Sequence, residues 1–143
     1  MSPASLGVVA SALAAGVKLG RVNLMTMDFG PYFSDGKAMG DLAISALRDA
    51  NTQLRGLIPG LDEEGAFALL GATPMIGKND VASEVFSLQD AQILVSFAKE
   101  KKLGLLAFWA INRDQPGSGD LGLYSHAQSE AFAFHQVFAT ALQ

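Results

Sequence analysis

Four carboxylates and one indole stand where this chain can do chemistry, each at or just after an apolar run that reads as a strand. Asp28 lies in Val22-Asn23-Leu24-Met25-Thr26-Met27-Asp28-Phe29-Gly30, and Asp80 closes Thr73-Pro74-Met75-Ile76-Gly77-Lys78-Asn79-Asp80, with Glu84 four residues on. Asp114 ends Phe108-Trp109-Ala110-Ile111-Asn112-Arg113-Asp114. Burial raises a carboxyl pKa and a neighbouring donor lowers it, so Asp28 is suited to act as acid, base or hydrogen-bonding group; its bland alternative is a cap on the next loop. Together the four acids offer a paired-carboxylate or divalent-cation arrangement, but their spacing matches no ligand signature. Solvated or capping roles are the safer expectation for Glu84 and Asp114, and no metal is expected. Trp109, the only tryptophan, can form an apolar floor under a sugar ring or fill a core.

Other motifs exclude more than they suggest. Gly117-Ser118-Gly119-Asp120-Leu121-Gly122 has the glycine pattern of a dinucleotide loop. It stands away from the strand, Asp120 would repel pyrophosphate, and no acid follows about twenty positions later, so a flexible loop is expected and no cofactor. His126 and His135 are off any i, i+4 metal pairing, and no serine sits in an elbow sequence. Met25, Met27, Met39 and Met75 are core filler by default, with Met25 and Met75 close to the polar strand ends. The absence of cysteine removes disulfides and thiolate chemistry and leaves the compartment open.

The net charge is −4, and the only dense basic cluster, Lys99, Lys101 and Lys102, suits a helix C-terminus, so nucleic acid is not an expected partner. The first twenty residues carry Lys18 as their only charge and are interrupted by Gly7, Gly16 and several serines. They read as an amphipathic helix rather than an export signal, and no run reaches the roughly 18 to 20 apolar residues of a membrane span. A soluble chain is expected.

Long helical patterns separate the three strand runs. Ser2-Pro3 opens a helix through Leu6, Val9, Leu13 and Val17 to near Gly20; a second runs from Met39 to Leu57 before Pro59-Gly60. Ser87-Leu88-Gln89-Asp90 is a capping box for a third helix that exits at Gly104, and Ser125-His126-Ala127-Gln128 has the same pattern for a fourth. Strands are placed at Val22 to Met27, covered on both faces, at Phe67 to Ala72, and at Leu105 to Ile111. The order α-β-α-β-α-β-α implies an α/β fold with three parallel strands in one domain over residues 1–143, their polar ends on one face. Three strands leave two bare edges, so the sheet is expected to be part of a larger one.

On the strand-end motifs quoted above, together with Ala14-Ala15-Gly16-Val17, the chain resembles the C-terminal part of a family-18 glycoside hydrolase, the bacterial chitinases, over essentially its whole length. The resemblance implies the sixth to eighth strands of a (β/α)₈ barrel, completed by self-association or by a missing N-terminal part. It implies hydrolysis of β-1,4-linked N-acetylglucosamine with retention, the substrate's own N-acetyl oxygen acting as nucleophile. The family's acid ends an Asp-x-x-Asp-x-Asp-x-Glu motif, and none of Glu63, Glu64, Glu84, Glu100 and Glu130 has those aspartates before it. No catalytic residue is therefore assigned, and the chain alone is expected to be inactive.

By motif position, Asp28 contacts the reacting sugar and its acetamido group, Met25 and Met27 line that pocket, and Trp109 is its floor. Met75, Asn79 and Asp80 shape the wall and the loop after the second strand, although Met27 stands where many relatives carry tyrosine. Implied partners are chitin or chito-oligosaccharides. One alternative is a non-catalytic binding or scaffold module; another is a hydrolase using Asp28 with Asp80 or Asp114. The family is commonly exported.

Overall fold

Ser2 starts the first helix: its Oγ accepts the Ser5 N–H at 3.2 Å while Pro3 takes the first helical position, where a missing N–H leaves nothing unpaired. This is α1, Pro3–Ala14, in a computed structural model that describes residues 1–142. It stops short of Gly20 because Gly16, at a φ of 77°, turns the chain out of the helix. There follow β1 (Val22–Met25), α2 (Pro31–Ser34), α3 (Met39–Leu57), α4 (Glu63–Leu69), β2 (Leu70–Thr73), β3 (Gly77–Lys78) and β4 (Val85–Phe86). Then come α5 (Leu88–Lys101), β5 (Leu105–Leu106), a 3-10 turn (Ile111–Arg113), α6 (Ala133–Ala139) and a second 3-10 turn (Thr140–Leu142).

The parallel layer has the order β1-β2-β5, with Val22 opposite Leu70, Met25 opposite Thr73, and Gly71 opposite Leu105. Pairing continues past the regular strands through Thr26 N–H to the Thr73 carbonyl (3.1 Å), Trp109 N–H to Pro74 (2.8 Å) and Ile76 N–H to Trp109 (2.9 Å). The three strand ends therefore lie side by side, as expected. Behind them α3 buries Met39, Ala43, Leu47, Ala50 and Leu54, a stripe at helical spacing, against Ala91, Leu94 and Val95 of α5 and Leu70 and Ala72 of β2. Phe67 and Phe97 meet edge to face at 5.6 Å.

Several expectations are corrected. Phe67 to Leu69 is helix, because Asp62 caps α4 through its Oδ1 and the Gly65 N–H (2.8 Å); a short apolar run does not by itself distinguish helix from strand. The third strand pairs regularly only at Leu105–Leu106 and ends in the 3-10 turn. Strand β1 ends at Met25 and is not covered on both faces: Val22 and Leu24 are half-buried, Asn23 and Met25 exposed, as befits an edge. The last helix begins at Ala133 instead of at Ser125-His126-Ala127-Gln128, where His126 and Phe132 both take positive φ. Six α-helices are described where four were expected, with an added antiparallel ribbon pairing Gly77 to Phe86 and Lys78 to Val85.

The capping box at Ser87 forms, and its acid does more than cap its own helix. Asp90 Oδ2 accepts the Ser87 N–H at 2.8 Å, while Oδ1 accepts the Gly40 N–H of α3, also at 2.8 Å. One buried carboxylate thus serves the N-termini of both long helices, and Gly40 allows the approach: a Cβ there would stand 3.0 Å from the Asp90 backbone. Asp90→Ala leaves both N–H groups without an acceptor and is expected to cost about 2 to 3 kcal/mol, read as a lowered midpoint in urea unfolding.

Candidate functional site

The strand ends are joined by side chains reaching backbone groups that no ladder can satisfy. Asp28 follows β1 at a φ of 48°, a left-handed conformation that aspartate tolerates better than most residues. Its Oδ1 accepts the Val81 N–H at 3.2 Å and its own N–H donates to Asn79 Oδ1 at 3.4 Å, leaving Oδ2 without a partner among the described residues. The residue is exposed. Asn79 is buried, and its Nδ2 donates to the carbonyls of Met75 (2.9 Å) and Gly77 (3.0 Å). It fastens its own loop and the Asp28 backbone at once. Gly77 is required there: φ is 73° and a Cβ would overlap the Ser125 carbonyl.

Glu84 secures the turn after Asp28. Its carboxylate, 1% exposed, accepts the N–H groups of Phe29 (3.1 Å) and Gly30 (2.8 Å). Asp114, fully buried, accepts from Phe134 (3.0 Å) and His135 (2.6 Å) and so caps α6, with Gln128 as a further donor. The capping reading of these two acids holds and the solvated one does not. Asp114 is engaged by these backbone N–H groups of α6.

Trp109 is 55% exposed and Met25 56%, while Met27 is half-buried; Asp80 is exposed. Met75 is buried and forms a parallel bridge with Trp109. The structure therefore brings Asp28, Asn79 and Met75 into one connected group with Trp109 beside Met75, and the Met75 and Asn79 side chains are buried. No cluster of three His, Cys, Asp or Glu side chains suited to a metal ion exists among the described residues. The 117–122 segment is loop: Gly122 N–H donates to Asp120 Oδ1 at 2.7 Å.

Sequence reasoning missed Arg113, which is fully buried four residues after Trp109 and donates from Nη2 to the Lys78 carbonyl at 2.6 Å. Burial pushes its guanidinium down from the ordinary value, and the carboxylates of Asp80 and Asp28 push it back up. An arginine inside an apolar strand-end run was the available signal. Glu84→Gln keeps the size and offers one acceptor oxygen to two N–H groups. It is expected to lower stability by about 1 to 3 kcal/mol and to speed hydrogen exchange at Phe29 and Gly30 by more than at the core amides of α3.

A parallel layer with its exposed polar and aromatic groups at the C-terminal strand ends, backed by crossover helices, is part of an α/β barrel. The chain is 37% identical over 149 aligned positions to a probable bifunctional chitinase/lysozyme of Escherichia coli, which covers 97% of this chain and 17% of that protein. It is 38% identical over 124 positions to Endochitinase 11 of Metarhizium anisopliae, with 82% of this chain and 24% of that one covered. Among solved structures, the catalytic domain of a hyperthermophilic chitinase from Pyrococcus furiosus matches 96% of the chain with a TM-score of 0.86 at 34% identity. A catalytic-site mutant of active domain 2 of the P. furiosus chitinase, complexed with chito-oligosaccharides, matches at 0.87 over 97%. In both cases 45% of the solved chain is covered. No family model matches. The chain is homologous to chitinases and has the fold of part of a chitinase catalytic domain, spanning under half of those domains and about a fifth of the curated relatives.

Proposed function

We propose that these residues are the saccharide-holding part of a family-18 chitinase site, strands six to eight of its barrel, and that the catalytic acid comes from outside these 143 residues. The observation that carries the reading is the pairing of an exposed indole with an exposed, partly unengaged carboxylate on the strand-end face of a chitinase-type fold. A flat apolar face supports a sugar ring by its C–H groups. A carboxylate oxygen accepting the acetamide N–H makes the acetamide carbonyl a better internal nucleophile toward the anomeric carbon, which is what substrate-assisted retention requires. Asp28 Oδ2 is that acceptor and Trp109 the floor. Met25 and Met27 line the pocket, Met75 and Asn79 form the wall behind it, and Asp80 stands at the rim.

We further propose that both sheet edges are covered by the strand–helix units that the matched catalytic domains contain beyond the 45% aligned here. A groove of about 820 Å³ lies along β1, lined by Val8, Val22, Leu24, Met25 and Phe33 among others. Another, of about 640 Å³, lies along β5, lined by Leu103, Leu105, Leu106 and Phe138. The accessible surface is 7727 Å², against about 7,000 Å² for a compact monomer of this mass. A second copy would bring the strand count only to six of the barrel's eight and would carry no acid motif, so the companion is the rest of a barrel rather than a copy of this chain.

Calorimetric titration with chitotriose, release of a chromophore from a chitobiose glycoside, and molar mass by light scattering test both points. The expected result is binding by the wild type, weakened at least about tenfold in Trp109→Ala and weakened also in Asp28→Ala, with no turnover by the chain alone. Loss of a general acid by itself costs about 10²- to 10⁴-fold. No binding overturns the saccharide reading; turnover that Asp28→Ala abolishes overturns the outside acid; a stable homo-oligomer overturns the companion.

A further inference from the structure

Arg113 has the largest side chain among the fully buried residues, and its position is hard to explain by stability alone. Of its donors only Nη2 finds an acceptor, the Lys78 carbonyl; Nε and Nη1 are buried without a partner in the structure. A buried guanidinium carries a desolvation cost, and apolar residues of similar volume commonly replace buried ion pairs without loss of stability. What distinguishes the residue is what it connects.

Arg113 lies in the 3-10 turn that follows Trp109, and its bond to Lys78 holds that turn against the end of β3 and the loop that follows it. In the same loop Asn79 accepts the Asp28 N–H, and the Val81 N–H donates to Asp28 Oδ1. These side-chain links from the turn after Trp109 to Asp28 thus pass through residues 78–81. Two carboxylates from other strand ends, Asp80 and Asp28, both exposed, act on the buried guanidinium. We propose that Arg113 is a positioning residue: it fixes the turn after Trp109 on the 78–81 loop and so sets the indole relative to the Asp28 carboxylate. The proposal rests on the saccharide reading for its purpose, though not for its geometry.

Trp109 is the only tryptophan in the chain, so fluorescence reports on it alone. Arg113→Met removes charge and donors at similar length, and Arg113→Lys restores the charge and one donor toward Lys78. Three quantities are read on wild type and both variants: acrylamide quenching of Trp109 without ligand, hydrogen exchange at the Val81 amide, and calorimetric affinity for chitotriose. The expected result is a folded Arg113→Met variant, with unchanged far-ultraviolet circular dichroism, in which Trp109 is more readily quenched, Val81 exchanges faster and chitotriose binds at least tenfold more weakly. Arg113→Lys recovers most of each loss. Quenching and exchange equal to wild type in Arg113→Met overturn the proposal. So does an Arg113→Met chain that does not fold, or one that Arg113→Lys fails to rescue, since either assigns Arg113 to stability. If the wild type does not bind chitotriose, the proposed function falls, while quenching and exchange still decide the role of Arg113.

Discussion

A backbone N–H buried away from water must find an acceptor, and a sheet with three strands has few to offer beyond its own ladder. Among the described strands only β2 is paired on both sides. Three buried carboxylates supply part of the remainder, each accepting two main-chain N–H groups: Glu84 from Phe29 and Gly30, Asp90 from Gly40 and Ser87, Asp114 from Phe134 and His135. In each case at least one of the two donors lies twenty or more residues away in sequence. These acids join segments that hydrophobic packing alone would leave free to slide, because apolar contact is non-directional and a carboxylate between two N–H groups is not.

The same device separates the molecule into a firm part and an open one. Leu47, Leu54, Leu70 and Leu94 are fully buried where α3, β2 and α5 meet, so the central strand and the crossover helices form a core of their own. The outer edges of β1 and β5 have no comparable cover, and Met25 and Leu105 remain exposed beside apolar grooves. Unpaired parallel edges with apolar flanks leave main-chain groups open to pairing with a further strand. The strand-end face depends on the firm part: Asp28, Asn79 and Trp109 hold their places through segments anchored to β2 and its neighbours.

Much of this was legible from residue types. Leu47, Ala50 and Leu54 recur at helical spacing, and Ser87 with Asp90 spelled a capping box, because helix signals are local. The parallel order followed from strand runs separated by helical stretches, and the likeness to chitinases followed from three ordered strand-end motifs. Failures fell where local signals conflict or where the partner is distant. Phe67 to Leu69 is as apolar as a strand, and only the cap from Asp62 makes it helix. Ser125 to Gln128 resembles a helix start, yet α6 is capped by Asp114 from another segment. Glu84 could be read only as solvated or capping, without the backbone it caps, because its donors, Phe29 and Gly30, are more than fifty positions away.

The sequence by itself determined the helices with adjacent caps and the type and order of the strand-end groups, which depend on residues within a few positions of one another, and the parallel character of the sheet, which follows from the long helical stretches between its strands. Tertiary structure alone decided which of those groups face solvent and which are engaged. Asp28 and Trp109 remain exposed while Glu84, Asp114 and Asn79 are consumed by backbone partners, and Arg113 is drawn inside to reach Lys78. Burial and hydrogen bonding between distant segments arise only when the chain is folded, so no spacing along the chain encodes them.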